Sequence, residues 1–575
     1  MIVLTSVAPL LGLTAVLAYA PRASASALPL EGMFRGQQAA YMRRAFRPSD
    51  WHPSQISYGD GDTRAAAASH AAQTRSVPAA AAANNASAGP TTVSPVDFGA
   101  DPYGRRDSSA GFFAAIAALQ LLCEPAAVSP DAAANHDTGK VPQDQEPPQQ
   151  AKLDCGGAVL DLRGGVYTVS APVRIPAGMG NLWVRGGTIV AAPSFHPTAT
   201  EDPSHVESFV LIIGHNCTSE WRQKGACSVN VGVQQVTLDA RHHAGGSLYV
   251  DHCQLATVGP GIMLLGFSTY GVTAFGSGGT IIQGVFAGEY PGDDPRAHSL
   301  PDLSGTAVAL ASPQHDGFVT NTIIWSAKVG VLTHGDAQQI TGVHPWNYVA
   351  DPADGHQSSA IDGVGLGIVV SGGGARIEDC YLDTVPLLVN MSGSKSVYIA
   401  GNLFLKNASI ILSSPKWLRP DVHTGVSRLV ITNNMLNCFH NPPAEVCPDS
   451  FVVLDETGSK FGAVTDSRVE GNSVAQGARY QGTRSRMKVA VNGSRSVQLN
   501  FSDSLLFPFA PIAHGSASCS LRDGSPVDFA VISGDPEVDR RTIRVDFGTA
   551  ADGQRAWTGV VECTVDQSTA SNCAL

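Results

Sequence analysis

The segments Gln338-Gln-Ile-Thr-Gly-Val-His344, Ala375-Arg-Ile-Glu-Asp-Cys-Tyr-Leu382, Ser396-Val-Tyr-Ile-Ala-Gly-Asn-Leu-Phe404, Arg428-Leu-Val-Ile-Thr-Asn-Asn-Met-Leu436 and Arg468-Val-Glu-Gly-Asn-Ser-Val474 share one pattern. Gly317-Phe-Val-Thr-Asn-Thr-Ile-Ile-Trp325 is an earlier copy. Each alternates apolar and polar residues, turns at a small or amide residue, and resumes with an apolar one. Alternation at period two specifies a strand with one buried face. Shorter strands opened by glycine lie between the copies: Gly261-Ile-Met-Leu-Leu265, Gly305-Thr-Ala-Val-Ala-Leu310, Gly330-Val-Leu-Thr333 and Gly367-Ile-Val-Val370. Gln338 follows Gly317 by 21 residues, and Ser396 follows Ala375 by 21. Strands at this spacing, without intervening helices, predict a parallel β-solenoid. A β-sandwich also uses short alternating strands, but it does not keep one turn motif through six copies. Asparagine tolerates the left-handed turn conformation. Asn321, Asn402, Asn434 and Asn472 are therefore expected to stack as a ladder.

Outward from the repeat, the chain has 575 residues, 43% of them apolar, with 60 Gly and 36 Pro. A solenoid of this length is feasible because it grows in one dimension. The net charge of −12 argues against a general nucleic-acid binder. Residues Ile2 to Leu17 are mostly apolar and are followed by Ala23-Ser-Ala25 and Ala25-Ser-Ala27, the pattern of a secretory signal over 1–27. Residues 28–92 contain two alanine runs and read as a low-complexity lead. Eleven cysteines fit an oxidising compartment. Cys217–Cys227, Cys438–Cys447 and Cys123–Cys155 are expected bridges, and Cys519 is expected to pair with Cys563 or Cys573. Cys253 and Cys380 fall in or beside rungs and read as buried turn residues. N-glycosylation sequons begin at Asn85, Asn216, Asn390, Asn407, Asn492 and Asn500.

Val96-Asp-Phe-Gly-Ala100 opens the ordered region, and Phe112-Phe-Ala-Ala-Ile-Ala-Ala-Leu119 reads as a helix capped by Asp107 or Ser108. Such a helix covers the open first rung of a solenoid. This entry, followed by Gly156-Gly-Ala-Val-Leu-Asp-Leu-Arg-Gly-Gly-Val-Tyr-Thr-Val169, resembles the start of the pectin-lyase-like right-handed parallel β-helix. The continuation Val173-Arg-Ile-Pro176, Asn181-Leu-Trp-Val-Arg-Gly-Gly-Thr-Ile-Val190, Asn321-Thr-Ile-Ile-Trp-Ser-Ala-Lys-Val-Gly-Val331 and Leu505-Leu-Phe-Pro508 resembles the divergent quartet-type plant polygalacturonases. The resemblance runs from about Val93 to the C-terminus. It implies an all-β fold: a right-handed parallel β-helix over 93–504 with an N-terminal capping helix, then a small C-terminal β appendage over 505–575. It also implies a secreted, monomeric, cell-wall glycosidase cleaving pectin or polygalacturonate, with no cofactor, nucleic-acid partner or membrane anchor after signal cleavage. The Asn-Thr-Asp, Gly-His-Gly and Arg-Ile-Lys signatures of the main polygalacturonase family are absent, so catalytic roles do not transfer from the motifs.

Glycoside hydrolysis needs one carboxylic acid and one carboxylate, about 6.5–9.5 Å apart in inverting enzymes. The densest cluster joins Asp239, Arg241, His242 and His243 to the loop carrying Glu289, Asp293, Asp294 and Arg296, about two coils on. Asp239, Asp293 and Asp294 are the expected catalytic carboxylates. Adjacent Asp293 and Asp294 repel when both are ionised, which favours one remaining protonated. Arg241, His242, Glu289 and Arg296 are the expected substrate contacts, the arginines as forks for uronate carboxylates. His315-Asp316 and His334-Gly-Asp336 are secondary candidates that also read as polar turns. A calcium-dependent lyase, with Glu289, Asp293 and Asp294 as oxygen ligands, and a non-catalytic wall-binding solenoid are the alternatives.

Overall fold

The computed structural model describes residues 91–125, 153–195, 208–217, 227–288, 305–346, 365–391, 394–414, 424–438, 447–475, 478–510, 512, 517–523, 529–534, 541–549, 553–554 and 556–568. The expected signal, the low-complexity lead and the Glu289–Arg296 loop lie outside the described residues.

The alternating segments wind into a right-handed parallel β-helix. Among the described residues, thirty-three strands join in one continuous parallel ladder, apart from one short antiparallel pairing at the N-terminal end. Each coil has three faces. Face 1 runs through Leu211, Leu248, Val272, Val308, Val331, Ile368, Leu387, Ile410 and Val452 in register. Face 2 stacks Val233, Val258, Ile282, Val319, Ile340, Ile377, Ile399, Ile431 and Val469. Face 3 stacks Leu238, Leu264, Ala287, Ile324 and Pro345, then Leu382, Phe404 and Leu436. These inward columns form the main core. Period-two alternation puts mainly β-branched and leucine side chains inside, and full burial stabilises each of these by about 1.5–3 kcal/mol. The 21-residue repeat is visible as the pairing of Phe318 with Gln339, and Ala375 meets Val397 rather than Ser396.

The corner between faces 2 and 3 is nearly invariant. Gly186, Gln235, Gly261, Gly284, Asn321, Gly342, Asp379, Gly401, Asn433 and Gly471 all adopt φ between 48° and 75°. From Asn321 onward glycine alternates there with asparagine or aspartate for a steric reason. A Cβ at Gly342 would lie 2.9 Å from Asn321 Oδ1, and one at Gly471 would lie 3.0 Å from Asn433 Oδ1. The next residue along forms the ladder. Asn402 Nδ2 donates to Asn434 Oδ1 at 2.9 Å, and Asn434 Nδ2 donates to Asn472 Oδ1 at 2.9 Å. Cys380 N–H donates to Asn402 Oδ1 at 2.9 Å and closes the ladder at that end. Asn321 is not a member: it holds the exposed left-handed position, and buried Thr322 fills the ladder column.

The helix Ser109–Leu122 covers the first coil, burying Phe112, Ala115, Ile116 and Leu119. Phe112 meets Tyr167 edge-on at 5.4 Å. Ser108 occupies the N-cap without a side-chain cap bond, while Asp107 Oδ1 accepts from Ser109 N–H at 3.0 Å. Cys123 at the helix C-cap bonds Cys155. Cys217–Cys227, Cys438–Cys447 and Cys519–Cys563 are also formed, and Cys253 and Cys380 are buried thiols.

Beyond the coils the pairing turns antiparallel. Arg484–Ser494, Trp557–Asp566 and Ala517–Arg522 form one small sheet; Ser496–Asn500, Thr542–Thr549 and Phe529–Gly534 form another. They enclose a separate core around Leu499, Phe501, Phe547, Trp557 and Val561. The expected join at 504/505 falls inside this unit, because the antiparallel strands begin at Arg484. The strand Arg484–Ser494 alternates like a rung, so period alone did not mark the change.

Candidate functional site

Face 1 is bounded by two corners. Asp239 ends the strand Ser228–Asp239 at the corner entering face 1. Its side chain is only 10% exposed, and both oxygens are engaged by the turn that follows. Oδ1 accepts from Arg241 N–H at 3.0 Å and Oδ2 from Arg241 Nε at 3.3 Å. Arg241 and His242 have φ of 50° and 56°, and His242 N–H donates to Gly266 O. This carboxylate therefore stabilises two left-handed residues, as short acidic side chains do in turns. Along the axis, Asp239 aligns with Leu265 and then Gly288. The segment after Gly288 thus leaves from the Asp239 column two coils on, but Glu289, Asp293, Asp294 and Arg296 themselves lie outside the described residues.

The opposite corner, between faces 1 and 2, is irregular. Register shifts occur at Leu310/Gln314, Thr333/His334 and Gly373/Gly374. Bulges of this kind re-aim side chains and concentrate beside functional sites. Here His252 Nδ1 lies 2.6 Å from Asp251 Oδ1, with both side chains buried. Two coils on, His315 Nδ1 lies 2.7 Å from Asp316 Oδ2, and both are exposed. One coil further, His315 pairs in register with Asp336, whose Oδ1 accepts from Gly374 N–H at 3.2 Å. His334 Nδ1 lies 2.9 Å from Ser371 Oγ. The intermediate coil contributes glycines: a Cβ at Gly276 would lie 2.3 Å from His252 Nε2, and one at Gly278 would lie 3.1 Å from His315 Cε1. Two imidazoles thus pack against bare backbone.

Three carboxylates and three imidazoles line this rim. Asp316 and Asp336 sit one coil apart, about 4.8 Å along the axis by strand spacing. Asp239 and Asp251 cannot act together, because the six-residue strand Gly246–Asp251 between them spans about 17 Å. Sequence density ranked the Asp239 cluster first and gave His315-Asp316 and His334-Gly-Asp336 only as secondary candidates; Asp251, His252 and Ser371 were not singled out, because the members are spread from 251 to 371 and meet only through coil stacking. The recurrent His-Asp and Asp-His adjacency was the available signal.

The outer side of face 1 also carries a cluster of Phe209, Ile212 and Tyr249, with Tyr270 and Phe275 against it. Outside face 3, Trp325 and Trp346 rings lie 4.3 Å apart, as do those of His344 and Tyr381. Burial pushes the His344 imidazole down to about 3, so it is neutral at ordinary pH. Among the described residues no group of three or more metal-ligating side chains clusters.

No family model matches the chain. Polygalacturonase QRT3 of Arabidopsis thaliana is 27% identical over 432 residues, 73% of this chain and 75% of that protein. Among solved structures, a family 28 exopolygalacturonase of Yersinia enterocolitica covers 66% of this chain and 73% of its own, at 10% identity and a TM-score of 0.40. ORF18 of Geobacillus virus E2 covers 81% of this chain and 78% of its own, at 11% identity and a TM-score of 0.41. The chain is thus a right-handed parallel β-helix protein whose sequence is similar to that of a plant polygalacturonase.

Proposed function

We propose that the protein is an extracellular glycoside hydrolase that cleaves pectic galacturonan by acid/base-assisted attack of water. The relationship to Polygalacturonase QRT3 supports the substrate class. The observation that carries the reaction is the bulged rim of face 1, where exposed Asp316 and Asp336 lie on adjacent coils. One carboxyl protonates the departing glycosidic oxygen, and the other, ionised, activates water or attacks the anomeric carbon. His315 holds Asp316, and Gly374 N–H holds Asp336, so each carboxylate is oriented by its own partner. The four disulfides support an extracellular setting.

A second assignment of the acids keeps Asp239 with Asp293 and Asp294; it is favoured by the alignment of Asp239 with Gly288, where that loop begins. Product analysis on polygalacturonate tests the reaction. Saturated ends support hydrolysis, unsaturated ends mean a lyase, and intact polymer means a binding solenoid. Repeating it with Asp316→Asn and Asp239→Asn separates the two sets of acids.

A further inference from the structure

We infer that the protein holds a second site for an acidic sugar, in a cavity of about 700 Å³ where the last coils meet the C-terminal unit. This deepens the galacturonan reading and rests on it for the choice of ligand. The floor is continuous with the outside of face 1: Leu332, Val369, Leu388, Ile411 and Val453 align in register, and the last two line the cavity. Ile411 lies three coils beyond the strand ending at Asp336, about 14 Å along the axis. An oligosaccharide of a few rings lying on face 1 reaches from the rim to the cavity.

The walls are polar and come from both units. Arg479 belongs to the last coils and Arg541 to the antiparallel unit, and Asn407 and Asp449 also line the cavity. Arg541 Nη1 donates to Ser502 O at 3.1 Å, which fixes its guanidinium at the wall. Arg479 Nη2 contacts Asp503 at 3.1 Å, but that carboxylate is 99% exposed and therefore well screened. Two arginines beside apolar Ile411 and Val453 stand out in a chain with 37 basic and 49 acidic residues. Planar forks recognise carboxylates in two-point fashion, and the apolar floor suits a ring face. The ligand this arrangement fits is a uronate ring presenting one carboxylate, and the volume suits one or two such rings.

The test is titration calorimetry of the full-length protein with trigalacturonate and, as a control, an uncharged hexose trisaccharide. The Arg479→Ala/Arg541→Ala protein should bind trigalacturonate at least tenfold more weakly than the parent, and the neutral sugar should bind the parent at least tenfold more weakly than trigalacturonate. Because Arg541 also anchors Ser502, Arg479→Gln alone is the second variant and should weaken binding several-fold with an unchanged melting temperature. Equal binding by parent and variants, or equal affinity for the two sugars, overturns the site. So does an N-glycan on Asn407 by mass spectrometry, since it would fill the cavity. A parent that binds through the arginines yet leaves polygalacturonate intact keeps this site and sinks the hydrolase reading. Cleavage combined with binding indifferent to both arginines does the reverse.

Discussion

Two corners of the same coil follow opposite rules. Between faces 2 and 3, ten of the described residues repeat one left-handed turn, and the column beside it holds apolar residues, buried Thr322 and Cys380, and an amide ladder with its hydrogen bonds satisfied. Between faces 1 and 2, the register slips three times and the side chains are imidazoles and carboxylates, several of them exposed. Along its ladder the first corner repeats because a break there leaves a buried polar group unmatched. The second is released from repetition by its bulges, and that release lets different chemistry accumulate on one rim. Regularity marks the part that holds the molecule, and irregularity marks the part proposed to act.

The strongest way to break this contrast is through turnover. Asp316→Asn and Asp336→Asn should each lower polygalacturonate hydrolysis by about 10²–10⁴-fold, on the order of 3–5 kcal/mol of barrier. Their melting temperatures should stay at the parent value, since both carboxylates are at the surface. Parental rates in both variants would remove the rim from the mechanism.

Stability should respond at the other corner. Asn434→Ala leaves the buried Asn402 N–H without its acceptor and removes the side-chain bonds to Asn402 and Asn472, and should cost about 3 kcal/mol in urea unfolding, leaving turnover per folded molecule unchanged. Asn321→Ala, at the exposed position one residue off the ladder, should cost far less. Equal losses from the two substitutions would show that the ladder has no special role.

A smaller effect depends on pH. His344 lies two residues past the left-handed Gly342 and is neutral in the fold down to about pH 3. The unfolded chain takes up a proton at this residue below about pH 6.5. Its contribution is therefore present above pH 6.5 and lost as pH falls toward 3, with a slope of up to about 1.4 kcal/mol per unit. The stability difference between the parent and His344→Phe should drift between pH 7 and pH 5; a difference that stays constant would contradict this.

The smallest change is expected from Asp239→Asn. The amide oxygen still accepts from Arg241 N–H, so stability should fall by less than about 1 kcal/mol and turnover should stay within twofold. A large loss of turnover would return catalysis to the Asp239 column.

The fold was legible because inward and outward residues alternate so strictly that Ile340, Ile377, Ile399 and Ile431 announce a shared column. The ladder was legible only in part. Two neighbouring positions favour asparagine for different reasons: one is left-handed and exposed, the other buried and bonded. Asn433-Asn434 fills both, whereas Asn321-Thr322 fills only the first, and a single asparagine does not reveal which it occupies. The site was least legible. Stacking brings together residues separated by whole coils, and a density of acids in sequence, as around Asp239, finds turns as readily as chemistry.

The asparagine ladder has a consequence for how such a chain can change length. Each member presents a donor to one neighbour and an acceptor to the other, so its two sides are complementary. A duplicated coil carrying the Gly-Asn or Asn-Asn pair, spliced in after Asn434, would meet matching groups above and below. At Cys380 the series ends on a thiol, and on the far side the column continues as Val343 and Thr322, where no such complementarity exists. Growth by insertion is therefore permitted at one end of the solenoid and obstructed at the other, so the protein can lengthen toward its C-terminal cavity without disturbing the rim.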